Sequence, residues 1–168
     1  MRYGPLGRER DEYWYDIALI CMNGHVVNSA MQDRPEHNAP RCDDCGVVTI
    51  SKCPSCENPI RGHYHSNIMG LRYYAPSFCL QCGKPFPWTV AEVAAAKEMA
   101  LELQLSPSEV TQLQGTIDDL MRDTPMTPVA ALRFKKLVVK GGKLAETVFT
   151  EMVMKFATDT AKKLITGK

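Results

Sequence analysis

Cys42-Asp-Asp-Cys45-Gly-Val-Val-Thr-Ile-Ser-Lys-Cys53-Pro-Ser-Cys56 carries two Cys-x-x-Cys pairs joined by a short, partly apolar run. Each pair sits on one tight turn and offers two thiolates to a tetrahedral ion, so two further ligands must come from elsewhere in the chain. Cys79-Leu-Gln-Cys82 follows Cys56 after 22 residues, a length that suits a hairpin running out from one turn and back to the other. Cys53, Cys56, Cys79 and Cys82 therefore form one expected site. Cys21, Cys42 and Cys45 remain, and Cys21-Met-Asn-Gly-His25 supplies the missing fourth ligand: a histidine four residues after a cysteine, around a glycine turn. Twenty residues separate Cys21 from Cys42, close to the spacing of the other site. The expected cofactors are two structural Zn²⁺ ions, one held by Cys21, His25, Cys42 and Cys45 and one by four cysteines.

Seven cysteines are an odd count for a closed disulfide framework, and in a reducing compartment paired thiols are metal ligands more often than bridges. The first twenty residues carry charge throughout and lack an apolar signal core, and no apolar run is long enough to span a bilayer. The expected location is the cytoplasm.

Outward from the cysteines, the 168 residues divide near Trp88. All the cysteines and histidines lie before it, and the sequence beyond is rich in Ala, Leu, Lys, Glu and Met. The fold class expected is α+β: a small β-rich double zinc ribbon over 1–88, then an all-helical module of about four helices over 89–168. Gly24–Asn28, Val47–Ile50, Ile60–Tyr64 and Leu71–Tyr74 read as short strands between the metal turns. Thr89-Val-Ala-Glu92 reads as a capping box opening a helix through about Leu105, and Ser106-Pro107-Ser-Glu109 as a second one. Thr124-Pro125 and Thr127-Pro128 break that second helix and introduce a third, which Gly141-Gly142 ends. A fourth is expected from about Lys143 to Thr166, roughly 35 Å long. Its broad apolar stripe leaves open whether it packs within the subunit or against another chain. Residues 90–123 hold two basic and seven acidic side chains, and 124–168 nine basic and three acidic, so opposite signs favour drawing these segments together.

These residues resemble a family of uncharacterised bacterial proteins that join a double zinc ribbon to a helical C-terminal tail. The resemblance lies in Tyr15-Asp16-Ile17 leading into Cys21-x-x-Gly24-His25, in Pro35-Glu36-His37-Asn38, in the paired Cys-x-x-Cys motifs, in Pro59-Ile60-Arg61-Gly62 and in Pro85-Phe86-Pro87-Trp88. It implies the fold and the eight ligands, and no activity.

Eight ligands for two ions leave no position for a reactive water, so no catalytic residue is expected and the zinc reads as structural. The zinc-deaminase pattern fails because His25 is followed by Val-Val and Arg41 separates Pro40 from Cys42. His63 and His65 bracket Tyr64 on a strand and share a face, but no carboxylate stands at a spacing that would complete a site with them and His37. Nucleic-acid binding is the alternative, with Tyr3, Tyr13, Trp14, Tyr15, Tyr64, Tyr73 and Tyr74 available for stacking and Arg61 and Arg72 nearby. Residues 1–88 nevertheless hold nine basic and nine acidic side chains, so those aromatics read instead as cover for the metal turns and the junction with the helices. The function expected is a non-enzymatic zinc-binding adaptor, its ribbon and Ser66–Gly70 loop presented to a partner, its helices contacting another protein or a second copy. A metal-dependent hydrolase or a membrane-surface effector is the remote reading.

Overall fold

The computed structural model describes residues 14–65 and 72–167. The chain forms two compact units, one ending at Trp88 and the other beginning at Thr89. The Ser66–Gly70 loop, Tyr3 and Tyr13 lie outside the described residues.

The first unit is built on a strand that changes sheets. β1 (Trp14–Ile17) and β2 (Leu19–Cys21) are one extended stretch interrupted at Ala18, whose N–H donates to Ile60 O at 2.9 Å. β1 pairs antiparallel with β5 (Arg61–His65), Tyr15 opposite Tyr64 and, after a bulge, Ile17 opposite Arg61. β2 is the centre of a second sheet, flanked by β3 (Val26–Asn28) and β4 (Thr49–Ile50). Gly62 makes this crossing possible: a Cβ there would stand 2.3 Å from Ser29 O and 2.7 Å from Ile17 C, closer than any side chain tolerates.

The core beneath is small. Ala18, Ile20, Ile60, Phe86 and Trp88 are buried with Cys53 and Cys79, and Phe86 stacks on Trp88 with centroids 4.6 Å apart. The Trp88 indole N–H donates to Pro76 O at 2.8 Å. Arg72–Tyr74, expected as part of a strand, make no ladder; Tyr73 instead donates its hydroxyl to Arg61 O at 2.7 Å, so a side chain anchors this segment to β5.

Among the described residues, the second unit contains five helices rather than four. α1 (Pro87–Leu101) begins two residues before the expected cap, because Pro87 is already preset for a first helical position; Thr89 is buried in the opening turn. α2 (Pro107–Leu120) starts on the expected box: Ser106 Oγ accepts from Glu109 N–H and Glu109 Oε2 accepts from Ser106 N–H at 2.9 Å. At α3 (Thr127–Val138), Thr127 Oγ1 accepts from Thr124 N–H at 2.8 Å and donates to Arg122 O at 2.9 Å, a buried clasp across the turn.

The long fourth helix is two helices. α4 (Lys143–Phe156) stops at Ala157, whose extended ψ of 150° breaks the spiral, and α5 (Asp159–Thr166) restarts on Thr158, whose hydroxyl accepts from Ala161 N–H. Thr158 N–H donates to Leu120 O at 3.0 Å, fixing the corner against α2. A straight rod would carry its C-terminal end past the core. The corner instead brings Ala161 and Ile165 into the cluster with Phe134, Phe149, Val153 and Phe156. The expected charge attraction is met by Lys140, which pairs with Glu109, and by Lys155, whose positive charge acts on half-buried Glu92.

Candidate metal centres

The first centre forms where β2 ends. Cys21 closes that strand, and the chain turns through Gly24 so that His25 N–H donates back to Cys21 Sγ at 3.3 Å. Cys42 and Cys45 arrive on a turn closed by Gly46 N–H donating to Cys42 O at 2.8 Å. His25 presents Nδ1, 3.6 Å from Cys21 Sγ and 3.5 Å from Cys42 Sγ, while Cys21 and Cys45 are 3.8 Å apart.

The second centre repeats this with thiols alone. Cys53 Sγ lies 3.8 Å from Cys82 Sγ, and Cys56 Sγ lies 3.6 Å from Cys79 Sγ. In each centre the four ligand atoms lie within 4.8 Å of one another. The structure thus brings together Cys21, His25, Cys42 and Cys45, and separately Cys53, Cys56, Cys79 and Cys82.

These distances test the fit to an ion. A tetrahedron with metal–sulfur bonds of about 2.3 Å and a metal–nitrogen bond of about 2.05 Å has S–S edges of about 3.8 Å and S–N edges of about 3.6 Å. The separations match those edges and are far from the roughly 2.05 Å of a disulfide. Each centre can hold a tetrahedral divalent ion, and with four protein ligands each tetrahedron is full.

Backbone and amide donors surround the sulfurs. Asn58 Nδ2 donates to Cys56 Sγ at 3.5 Å, and with the Asn58 backbone N–H it pulls that thiol down to about 6. Val47 N–H lowers Cys45, whereas burial pushes Cys21 up. Lys84 N–H pulls Cys82 down, but burial and the three adjacent thiols outweigh it and leave Cys82 up at about 11. One thiolate forms easily and its neighbours then resist ionising, a repulsion that a bound cation relieves. Arg41 spends its guanidinium on Gly46 O at 3.1 Å, and Lys84 acts through its backbone. Asn58 escapes a search for ligand residues because it holds a ligand rather than the ion; its position two residues after a Cys-x-x-Cys pair is the available signal.

The histidine strand holds a carboxylate that local spacing does not reveal. Asp16, on β1, is fully buried, and His65 Nε2 stands 3.1 Å from its Oδ2. Its oxygens also accept from the backbone N–H groups of Ile17, Gln32 and Asp33, so Asp16 ties β1 and β5 to the segment after β3. Trp14 stacks on His65 with ring centroids 4.2 Å apart. Sequence spacing along one strand misses the pair because its partner lies 49 residues away, across the sheet. His37, His63 and His65 line one cleft with Asp33, Glu36 and Asp43. Tyr15 and Tyr74, expected as cover, are exposed at 50% and 69%.

Among the described residues, no helix is long and apolar enough to cross a membrane. Residues 14–165 match a family described as uncharacterized proteins conserved in bacteria (DUF2321). No curated protein and no solved structure matches the chain.

Proposed function

The chain belongs to this bacterial family, and on that premise we propose that it is a non-enzymatic adaptor whose ribbon, braced by two structural Zn²⁺ ions, recognises a partner while its helices mediate assembly or effector contact. The observation that carries the reading is closure of both ligand sets. Cys21, His25, Cys42 and Cys45 fill one tetrahedron and Cys53, Cys56, Cys79 and Cys82 the other, which leaves no inner-sphere position for a substrate or an activated water. A ribbon whose apolar core is a handful of residues needs the metal as its organising centre. The cytoplasm, where thiols stay reduced, is the compartment that suits seven free cysteines.

Elemental analysis of the purified protein tests this directly: two zinc ions per chain are expected, and one or none overturns it. Cys56→Ser removes one equivalent and leaves the other. Retention of both ions in that variant refutes the pairing of the second centre.

A further inference from the structure

We propose that the groove between β5 and residues 72–81 binds single-stranded nucleic acid, with tyrosine rings as platforms for bases and guanidiniums as contacts for phosphates. The proposal rests on the reading of a metal-braced recognition ribbon and names what that ribbon recognises. The groove has a volume of about 500 Å³, and its walls include Tyr15, Arg61, Tyr64, Arg72, Tyr74 and Leu80. Among the described residues, no Asp or Glu lines it. Arg61 lies over the Tyr15 ring at 4.5 Å and Arg72 over the Tyr74 ring at 5.4 Å. Among the described residues, neither guanidinium has a carboxylate within ion-pair distance. Each is held against a ring face and remains exposed.

The even charge of residues 1–88 conceals a segregation. The carboxylates of Asp33, Glu36 and Asp43 gather in the histidine-lined cleft of about 770 Å³, and among the described residues the Tyr/Arg groove has none. Two exposed guanidiniums therefore stand in the groove without a facing carboxylate among the described residues, offsetting the anionic charge that thiolates of the second centre bring to its Cys79 wall, and the phosphate contacts fall to Arg61 and Arg72. The rings choose among polyanions. Tyr15 already packs on Tyr64 at 4.6 Å and lies under Arg61, so the open ring is Tyr74, 69% exposed. An acidic peptide would pair with Arg61 and Arg72 but has no flat surface for Tyr74, and a duplex keeps its base faces stacked inside. Unpaired bases offer a π-face at every position, and each stacked base is worth about 5- to 150-fold in affinity.

Fluorescence anisotropy of the full-length, zinc-loaded protein with labelled oligothymidylate and oligouridylate, across a salt series, tests the groove. Binding is expected to weaken as salt rises. Arg61→Gln and Arg72→Gln should each flatten the log–log salt slope by about 0.7, the contribution of one phosphate in a single strand. Tyr74→Ala, at a position outside any strand, should cost about 5- to 150-fold while leaving that slope unchanged. An unlabelled single strand should displace the probe and a duplex should not, and the relative affinity of the two oligomers assigns the site to DNA or RNA. Absence of binding, equal competition by the duplex or by polyglutamate, or wild-type affinity in all three variants overturns the proposal. Zinc measured on the same samples separates two failures. Two ions without binding rejects the groove alone, whereas fewer than two ions in the wild type rejects the metal-braced ribbon beneath it.

Discussion

At the scale of single residues, the metal turns show where a side chain's identity is dictated by backbone and where it is not. Gly46 and Gly83 follow their Cys-x-x-Cys pairs at φ of 69°, and the equivalent position after Cys56 is Glu57 at φ of 60°. A left-handed conformation costs a residue with a Cβ about 1 kcal/mol, and glycine adopts it freely. Glu57→Gly should accordingly stabilise the zinc-loaded protein by roughly 0.5–1 kcal/mol in denaturant titration, with its zinc content unchanged. Gly62→Ala should do the reverse, because the added methyl meets Ser29 O and Ile17 C; a loss of several kcal/mol, or failure to accumulate folded protein, is expected. His25 is the residue whose role follows from elimination, and it has a sharp test. His25→Ala should lose one ion, and His25→Cys, which restores a fourth soft ligand, should keep two by elemental analysis. The two clusters were legible in the sequence because Cys-x-x-Cys is a local signal and the arithmetic left one vacancy. The use of Nδ1, the donor role of Asn58 and the Asp16–His65 pair were not legible, since each depends on chain segments meeting in space.

At the scale of elements, the helices show that caps can be read more safely than lengths. The Ser106–Glu109 box stands where its residues place it, because its signal is contained within four positions. The corner at Ala157–Thr158 was hidden by an apolar stripe running straight through it, and only the packing of Thr158 N–H on Leu120 O favours a bend over a rod. Thr158→Ala should cost about 1 kcal/mol of unfolding free energy by removing the cap on α5, and Thr158→Asp, which keeps an acceptor there, should recover most of it. Electrostatics at the start of α2 predicts a pH response. Lys140 holds the Glu109 carboxyl down at about 2, helped by the N–H and hydroxyl of Ser106, against its usual 4.5. A carboxyl with a lowered folded-state pKa contributes stability above its unfolded value and loses it on protonation. Thermal stability should therefore decline as pH falls from about 4.5 towards 2, and Glu109→Gln should flatten that part of the curve.

At the scale of the whole molecule, the two units draw their cohesion from different sources. Among the described residues, the helical unit buries eighteen in one cluster, including three phenylalanines, and both candidate metal centres lie outside it. Among the described residues, the ribbon's core cluster is Ala18, Ile20, Ile60, Phe86 and Trp88 with Cys53 and Cys79, and Leu19 and Ala30 are buried outside it. Adding a strong chelator should abolish the near-ultraviolet signal of the tryptophans at positions 14 and 88 while far-ultraviolet helicity largely persists. Simultaneous loss of both signals would contradict a separate source of cohesion for the helices. The contrast was visible in composition, cysteine-rich before Trp88 and Ala/Leu/Lys-rich after, because each kind of cohesion leaves its own residue statistics. The sheet pairings were not, since strands of two to five residues carry too little periodicity to name their neighbours. Finally, all four ligands of the first centre precede all four of the second, with no interleaving. As the polypeptide emerges from the ribosome, Cys21, His25, Cys42 and Cys45 leave the exit tunnel ahead of Cys53. Each ion can thus be captured in turn, and vectorial synthesis itself discourages the mixed cages that seven similar sulfurs would otherwise form.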